Sequence, residues 1–306
     1  MTFMDLKNGI LESGKIKILE NELMKNHTTF RIGGPTKYFL EVEDTISLKK
    51  LLSFLSKEGI NFFLLGAGSN LLVSDYPIED TVIIKLGNTF KKININDTGN
   101  ENVTVEVGAG YTLPSLSKEM YNYELRGAEF CIAIPGTLGG GLIMNAGAHG
   151  SELKDITECV YCLTKDGEEV YLSNEEAKFS YRNSCLRDFI VVGAKLKLKK
   201  GDKKLIKAKM EENLIYRANT QPKGFSAGSI FKNPPGTKAW KLIRDVGLSG
   251  YRIGDVMFSE KHANFIINLG NGKANDVMEL INLAKERVKK EFNIELELEI
   301  KLLGKF

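Results

Sequence analysis

The chain is expected to fold as α+β in about two domains, and three observations carry that expectation. Short apolar runs of period two alternate with amphipathic stretches of period near 3.6, which places strands and helices in one chain. The connections between them vary in length and composition, unlike the even spacing of a regular βαβ array. A polar break at Lys199-Lys200-Gly201-Asp202 separates a glycine-rich part from a more helical one.

Residues 1–30 mix charges with scattered apolar positions and read as a partly helical lead-in. Over residues 31–200, Phe39–Val42, Asn61–Leu65, Val82–Lys85 and Val103–Val107 read as strands. Ser47–Ser56 and Leu113–Tyr123 read as helices, and the long apolar run Phe189–Leu198 closes the region. Residues 202–306 open on a helix near Leu205–Arg217. Helices near Ala239–Val246 and Ala274–Phe292 follow, with the strand Asn264–Asn268 between them. The alternating stretch Ile294-Glu295-Leu296-Glu297-Leu298-Glu299-Ile300 reads as a last strand with its glutamates on one face.

Composition narrows the function classes. A net charge of +3, with basic residues interleaved with acids as in Lys285-Glu286-Arg287, argues against a nucleic-acid binder. No apolar run approaches the roughly 18–20 residues of a membrane span. The first thirty residues lack an apolar signal core, so a cytoplasmic protein is expected. Four cysteines are too few and too scattered for a disulfide scaffold. Cys159 and Cys162 form a CxxC, but on a strand–turn–strand pattern, where residues three apart point to opposite faces; they read as strand cysteines. His27, His149 and His262 have no metal-ligand spacing, and no metal site is expected.

Two glycine-rich loops stand out. Gly66-Ala67-Gly68-Ser69-Asn70-Leu71-Leu72 follows a strand, and its alternate glycines let backbone N–H groups converge on an anion. No third glycine opens a helix and no Lys-Ser/Thr follows, so it fits neither a Rossmann nor a Walker loop; a plain tight turn fits as well. The second runs from Ile134-Pro135-Gly136-Thr137-Leu138-Gly139-Gly140-Gly141 to Met144-Asn145-Ala146-Gly147-Ala148-His149-Gly150. So sustained a lack of side-chain bulk exceeds what turns need and lets another molecule lie against the backbone. A flat ring system with a pyrophosphate tail suits it.

These loops, with Thr28-Thr29-Phe30-Arg31-Ile32-Gly33-Gly34, Tyr181-Arg182, Gln221-Pro222 and Ala227-Gly228-Ser229-Ile230-Phe231-Lys232-Asn233-Pro234, resemble the UDP-N-acetylenolpyruvoylglucosamine reductase family. Ser259-Glu260-Lys261-His262-Ala263-Asn264-Phe265 and Leu296-Glu297-Leu298-Glu299-Ile300 complete the series, which runs from about Asn26 to Gly304. The chain is similar to the shorter of the family's two types. Ala133 stands where the family usually has glycine, and Asp255 where it usually has a second glycine.

The resemblance implies a two-subdomain FAD-binding fold of the vanillyl-alcohol-oxidase type and a C-terminal α+β substrate-binding domain. It implies FAD as cofactor, NADPH as hydride donor, a UDP-sugar enolpyruvyl ether as substrate and a place in peptidoglycan synthesis. Gly66, Gly68, Ser69, Asn70, Leu71, Pro135, Gly136, Thr137, Gly139, Gly140, Asn145 and Gly147 would hold the cofactor. Tyr181, Lys232 and Asn233 would meet the substrate. Arg182 would grip the substrate carboxylate, Ser229 would donate the proton, and Glu299 would assist. On residue chemistry alone, Arg182 equally suits a surface hairpin end and Ser229 a turn. Glu297 shares the strand face of Glu299, and the family pattern selects the second of the two.

Overall fold

In the computed structural model, which describes residues 15–306, the strands sort into parallel and antiparallel sheets. Pro35–Val42 and Asn61–Leu65 each lie parallel to Thr81–Leu86, and Ile16–Leu23 extends the sheet beside Pro35–Val42. Parallel strands need a crossover, and helix α1 (Thr45–Lys57) carries the chain from Pro35–Val42 to Asn61–Leu65 on the far side of Thr81–Leu86. Asp44 caps it by accepting from Ser47 N–H at 2.7 Å, and its stripe Leu48, Leu51, Leu52 and Leu55 is fully buried.

The second sheet is antiparallel, in the order Glu169–Ser173, Thr157–Leu163, Ile190–Lys200, Asn102–Gly108, Ile93–Asn96. Val103, Val105, Val107, Val160, Leu196 and Leu198 point from it into one core. There they meet Leu113, Leu116 and Met120 of α2 (Leu113–Asn122) and Leu138 and Leu142 of α3 (Leu138–Ile143). The CxxC hairpin forms as read: Cys162 is buried opposite Val170, while Cys159 is half-buried opposite Ser173. Burial pushes the Cys162 thiol up to about 12, which suits a packing residue rather than a thiolate.

Apart from the ends of Ile16–Leu23 and Pro35–Val42, these sheets belong to the first of two units: residues up to Glu20, Tyr38–Gly66 and Asp80–Tyr216. The second comprises Asn21–Lys37, Ala67–Glu79 and Arg217–Phe306. This division differs from the expected boundaries at residues 30 and 201. Ile206 and Met210 of α4 (Lys203–Thr220) pack against Ile132, Ala133 and Tyr121, which ties most of that helix to the first unit. Phe30, Ile32 and Leu72 are buried in the core of the second. Burial, not chain order, assigns these short segments.

Within the second unit, Arg252–Ile253, Val256–Phe258 and Ile266–Asn268 form a small antiparallel sheet. Helix α5 (Ala239–Asp245) buries Leu242 and Ile243. Helix α6 (Ala274–Phe292) contributes Val277, Leu280, Ile281, Ala284 and Val288 to the same core. It ends at Asn293, whose left-handed φ of 54° asparagine tolerates.

Two expectations are corrected. Part of the lead-in, residues 1–14, lies outside the described residues, and the rest is not helical apart from the 3-10 turn Met24–His27. Ile16–Leu23 is a strand, because Ile16 and Ile18 at alternate positions face the core and pairing satisfies the backbone. Ile294–Ile300 is not a regular strand either. It meets the segment around Ile230 through an isolated bridge, Phe231 to Leu298, and the ladder proper is Lys301–Leu303, parallel to Leu71–Val73. Pro234 and Pro235 soon end that partner segment, and proline cannot donate to a ladder.

Candidate active site

The glycine loops make a floor almost without side chains. In the first unit, the strand Asn61–Leu65 ends at Gly66, where an added Cβ would stand 2.8 Å from Thr137 Oγ1. Gly140 lies on the same hydroxyl, its Cβ position 3.6 Å away. Pro135 and Gly140 are exposed, and Gly136, Thr137 and Gly147 half-buried, so this surface is open to a ligand. Gly139 is different: it is buried against Ala109, to whose carbonyl its N–H donates at 2.9 Å. Little side-chain bulk at Gly66, Gly136, Gly140 and Gly147 leaves backbone groups accessible, which fits a cofactor ring recognised by close backbone approach.

The rest of the first loop lies in the second unit, with Ala67 exposed, Ser69 and Asn70 half-buried and Gly68 buried. Gly68 has φ +63°, and a Cβ there would lie 2.2 Å from the His27 carbonyl oxygen. Leu71 is buried. Asn70, expected to offer its amide to a phosphate, donates it to the Glu299 carbonyl at 3.1 Å, while its own carbonyl accepts from Lys301 N–H at 3.0 Å.

The Asn145 side chain is taken up by the protein's own hydrogen bonds. It has no exposed surface, and its amide donates to Glu152 Oε2 at 2.9 Å and to the Ser180 carbonyl at 3.2 Å. Lys154 N–H donates to its oxygen at 3.1 Å. That network supports the turn Ser180–Asn183, closed by backbone bonds in both directions between its end residues. Arg182 occupies the turn at φ +54°, half-buried, with its guanidinium 5.3 Å from the ring centre of the exposed Tyr181. The same guanidinium donates to the Gly147 carbonyl at 3.5 Å, and a cation held by a ring face and a carbonyl keeps its full charge.

Ser229 and Glu299 come from positions far apart in sequence onto neighbouring segments of the second unit. The segment Ser229–Lys232 runs between two others. On one side Phe265 bridges Ser229, Asn264 accepts from Ile230 N–H at 2.8 Å, and the Asn264 amide binds both backbone groups of Phe231, at 2.9 and 2.8 Å. On the other, Glu299 N–H donates to the Ile230 carbonyl and Lys232 N–H to the Glu297 carbonyl, each at 2.8 Å. A left-handed Gly228, φ +79°, precedes Ser229.

The three glutamates are no longer equivalent. Glu295 pairs with Lys289 at 3.0 Å and Glu297 with Lys232, both carboxylates largely exposed, whereas Glu299 is half-buried. Lys232 therefore carries its own counter-ion. The Asn233 side-chain oxygen accepts from Ala239 N–H at 3.1 Å, at the start of α5. Sequence reasoning assigned no role to Asn264, 2% exposed. Its place in the quoted Ser259–Phe265 motif was the available signal.

The histidines stay outside this arrangement. His149 rests edge-on against Tyr216, and burial followed by Lys209 pulls its pKa down. Burial does the same to His262, whose ring lies between Trp240 and Phe265. Among the described residues no group of three or more His, Cys, Asp or Glu side chains is placed to hold a metal, and no helix is long and apolar enough to cross a membrane.

The class follows from comparison with known proteins: an FAD-containing oxidoreductase. Residues 36–173 match the family model described as FAD binding domain. Residues 221–303 match UDP-N-acetylenolpyruvoylglucosamine reductase, C-terminal domain. The UDP-N-acetylenolpyruvoylglucosamine reductase of Anoxybacillus flavithermus is 42% identical, over 98% of this chain and 99% of its own length. The crystal structure of UDP-N-acetylenolpyruvylglucosamine reductase from Thermus caldophilus superposes with a TM-score of 0.80 at 38% identity, covering 94% of this chain and all of that one. The chain belongs to the UDP-N-acetylenolpyruvoylglucosamine reductase family. A glucose dehydrogenase, Phl p 4.0202, shares the fold alone, at 11% identity and a TM-score of 0.50 over 66% of this chain and 44% of its own.

Proposed function

We propose that this chain reduces the enolpyruvyl ether of UDP-N-acetylglucosamine to UDP-N-acetylmuramate, with NADPH as hydride donor, in the cytoplasm. The observation that carries the assignment of residues is the pairing of Ser229 and Glu299 on neighbouring segments, through the Glu299 N–H to Ile230 carbonyl bond of 2.8 Å. FAD, when bound, would supply the hydride chemistry between NADPH and the enol ether.

The residues of the chain do the rest. Gly66, Pro135, Gly136, Thr137, Gly140 and Gly147 hold the cofactor by close backbone approach. Arg182 takes the substrate carboxylate in its planar fork, a grip that tightens as charge moves onto those oxygens. Ser229 gives its hydroxyl proton to the carbon next to the carboxylate and regains one from solvent. Glu299 orients the enolpyruvyl group. Tyr181 flanks Arg182, while Lys232 and Asn233 face the sugar and phosphate groups.

The test is spectroscopic. Purified holoenzyme is expected to be yellow, to bleach under NADPH without oxygen, and to recover its absorbance when the enolpyruvyl UDP-sugar is added. Protein that takes up no FAD would defeat the proposal, and bleached protein that this substrate does not reoxidise would replace it with a flavoenzyme for another substrate.

A further inference from the structure

Arg182 sits at φ +54°, a conformation that a long side chain does not favour, so something outside its turn must hold it there. Two buried polar side chains do so from the two ends of the turn. At one end Asn145, wholly buried, donates to the Ser180 carbonyl at 3.2 Å and to Glu152 Oε2 at 2.9 Å, and accepts from Lys154 N–H at 3.1 Å. Both amide protons and the oxygen are thereby engaged. At the other end the Ser184 hydroxyl, 2% exposed, lies 3.2 Å from the Leu142 carbonyl and 2.8 Å from that of Ile143. Leu142, Ile143 and Asn145 all belong to the chain that leaves the glycine cradle through α3.

We propose that Asn145 is a positioning residue that acts with Ser184 to fix the Tyr181-Arg182 turn on the cradle segment, so that the loop holding the cofactor also sets Arg182. The proposal rests on the reading of Arg182 as the carboxylate-binding residue. Its physical basis is geometric. A buried amide with three satisfied groups has one orientation, and a displacement of about 1 Å in a group that orients substrate costs on the order of a hundredfold in rate.

Asn145→Asp is the informative change, because aspartate also tolerates Asn145's φ of +43° and keeps the acceptor for Lys154 N–H. It removes both donors and sets a carboxylate against Glu152 and the Ser180 carbonyl. Asn145→Asp, Ser184→Ala, Arg182→Ala and the doubles with Arg182→Ala are compared as FAD-loaded full chains. Four quantities are read: flavin content, the rate of bleaching by NADPH, the Kd of the enolpyruvyl UDP-sugar from its perturbation of the oxidised flavin spectrum, and kcat/KM.

Each of the two positioning variants is expected to lose about 10- to 100-fold in kcat/KM and to raise that Kd. Flavin content and NADPH bleaching stay within about twofold of the parent, and each double falls no more than about twofold below Arg182→Ala alone. Losses that multiply in the doubles, or flavin content falling in step with activity, overturn the proposal. Should Asn145→Asp fail to fold, Ser184→Ala and its double decide by the same outcomes. An Arg182→Ala enzyme that turns over like the parent overturns the reading of Arg182 itself, and the proposal with it.

Discussion

Replacing Asn264 by alanine should damage stability and turnover together, by an amount the structure sets. The Asn264 amide accepts from Phe231 N–H at 2.9 Å and donates to the Phe231 carbonyl at 2.8 Å, with Phe231 wholly buried and Asn264 2% exposed. The backbone bonds on the far side of the segment use Ile230 and Lys232, so they leave both groups of Phe231 facing Asn264. Truncation therefore orphans one buried donor and one buried acceptor, at about 1–3 kcal/mol each, or about 2–6 kcal/mol in all. That is a large part of the roughly 5–15 kcal/mol that stabilises a domain. The assay is urea unfolding at a fixed excess of FAD, since cofactor binding would otherwise shift the midpoint. Ser229 lies two residues from Phe231, so kcat should fall as well. A loss below about 0.5 kcal/mol with unchanged kcat would refute the idea that this amide holds the Ser229 segment.

Other consequences can be checked in the same way. Asn213 is 1% exposed on the α4 face that carries Ile206 and Met210, and neither amide atom meets a partner among the described residues. Asn213→Leu should thus stabilise by about 1–3 kcal/mol in thermal or urea unfolding, and a destabilised variant would reveal a hidden partner. Glu299→Gln is expected to lower kcat by about a hundredfold or more. Glu297→Gln should cost less than about 1 kcal/mol of stability and leave kcat near the parent's, because its partner Lys232 is met at the surface. Equal kinetic losses in the two would remove the distinction between them. Burial holds the His262 pKa below its ordinary 6.5, so the folded state binds a proton less readily than the unfolded. Its contribution is complete above pH 6.5 and is lost as pH falls through the folded value. His262→Phe should flatten the decline of the urea midpoint on the acid side, and an unchanged slope would place the titration elsewhere.

By itself the sequence determined the regular elements and the chemistry on offer. Asn61–Leu65 and Ala274–Phe292 stand where period-two and period-3.6 patterning put them, because burying one face of a strand or helix fixes the residues that point inward. The lack of bulk in the second glycine-rich stretch was legible too, but not that Gly139 and Gly141 would use it inside a short helix to pack against Ala109, Leu113 and Leu153. Tertiary structure alone decided three matters. It assigned Phe30, Ile32 and Leu72 to the core of the second unit, a matter of long-range burial that local pattern does not encode. It split Glu295, Glu297 and Glu299, identical in sequence pattern, by the lysines that two of them meet and the burial of the third. And it engaged the side-chain amides of Asn70 and Asn145 with the Glu299 and Ser180 carbonyls. A side-chain amide bonds to whatever carbonyl the fold brings within 3 Å or so, and which carbonyl that is depends on the whole chain.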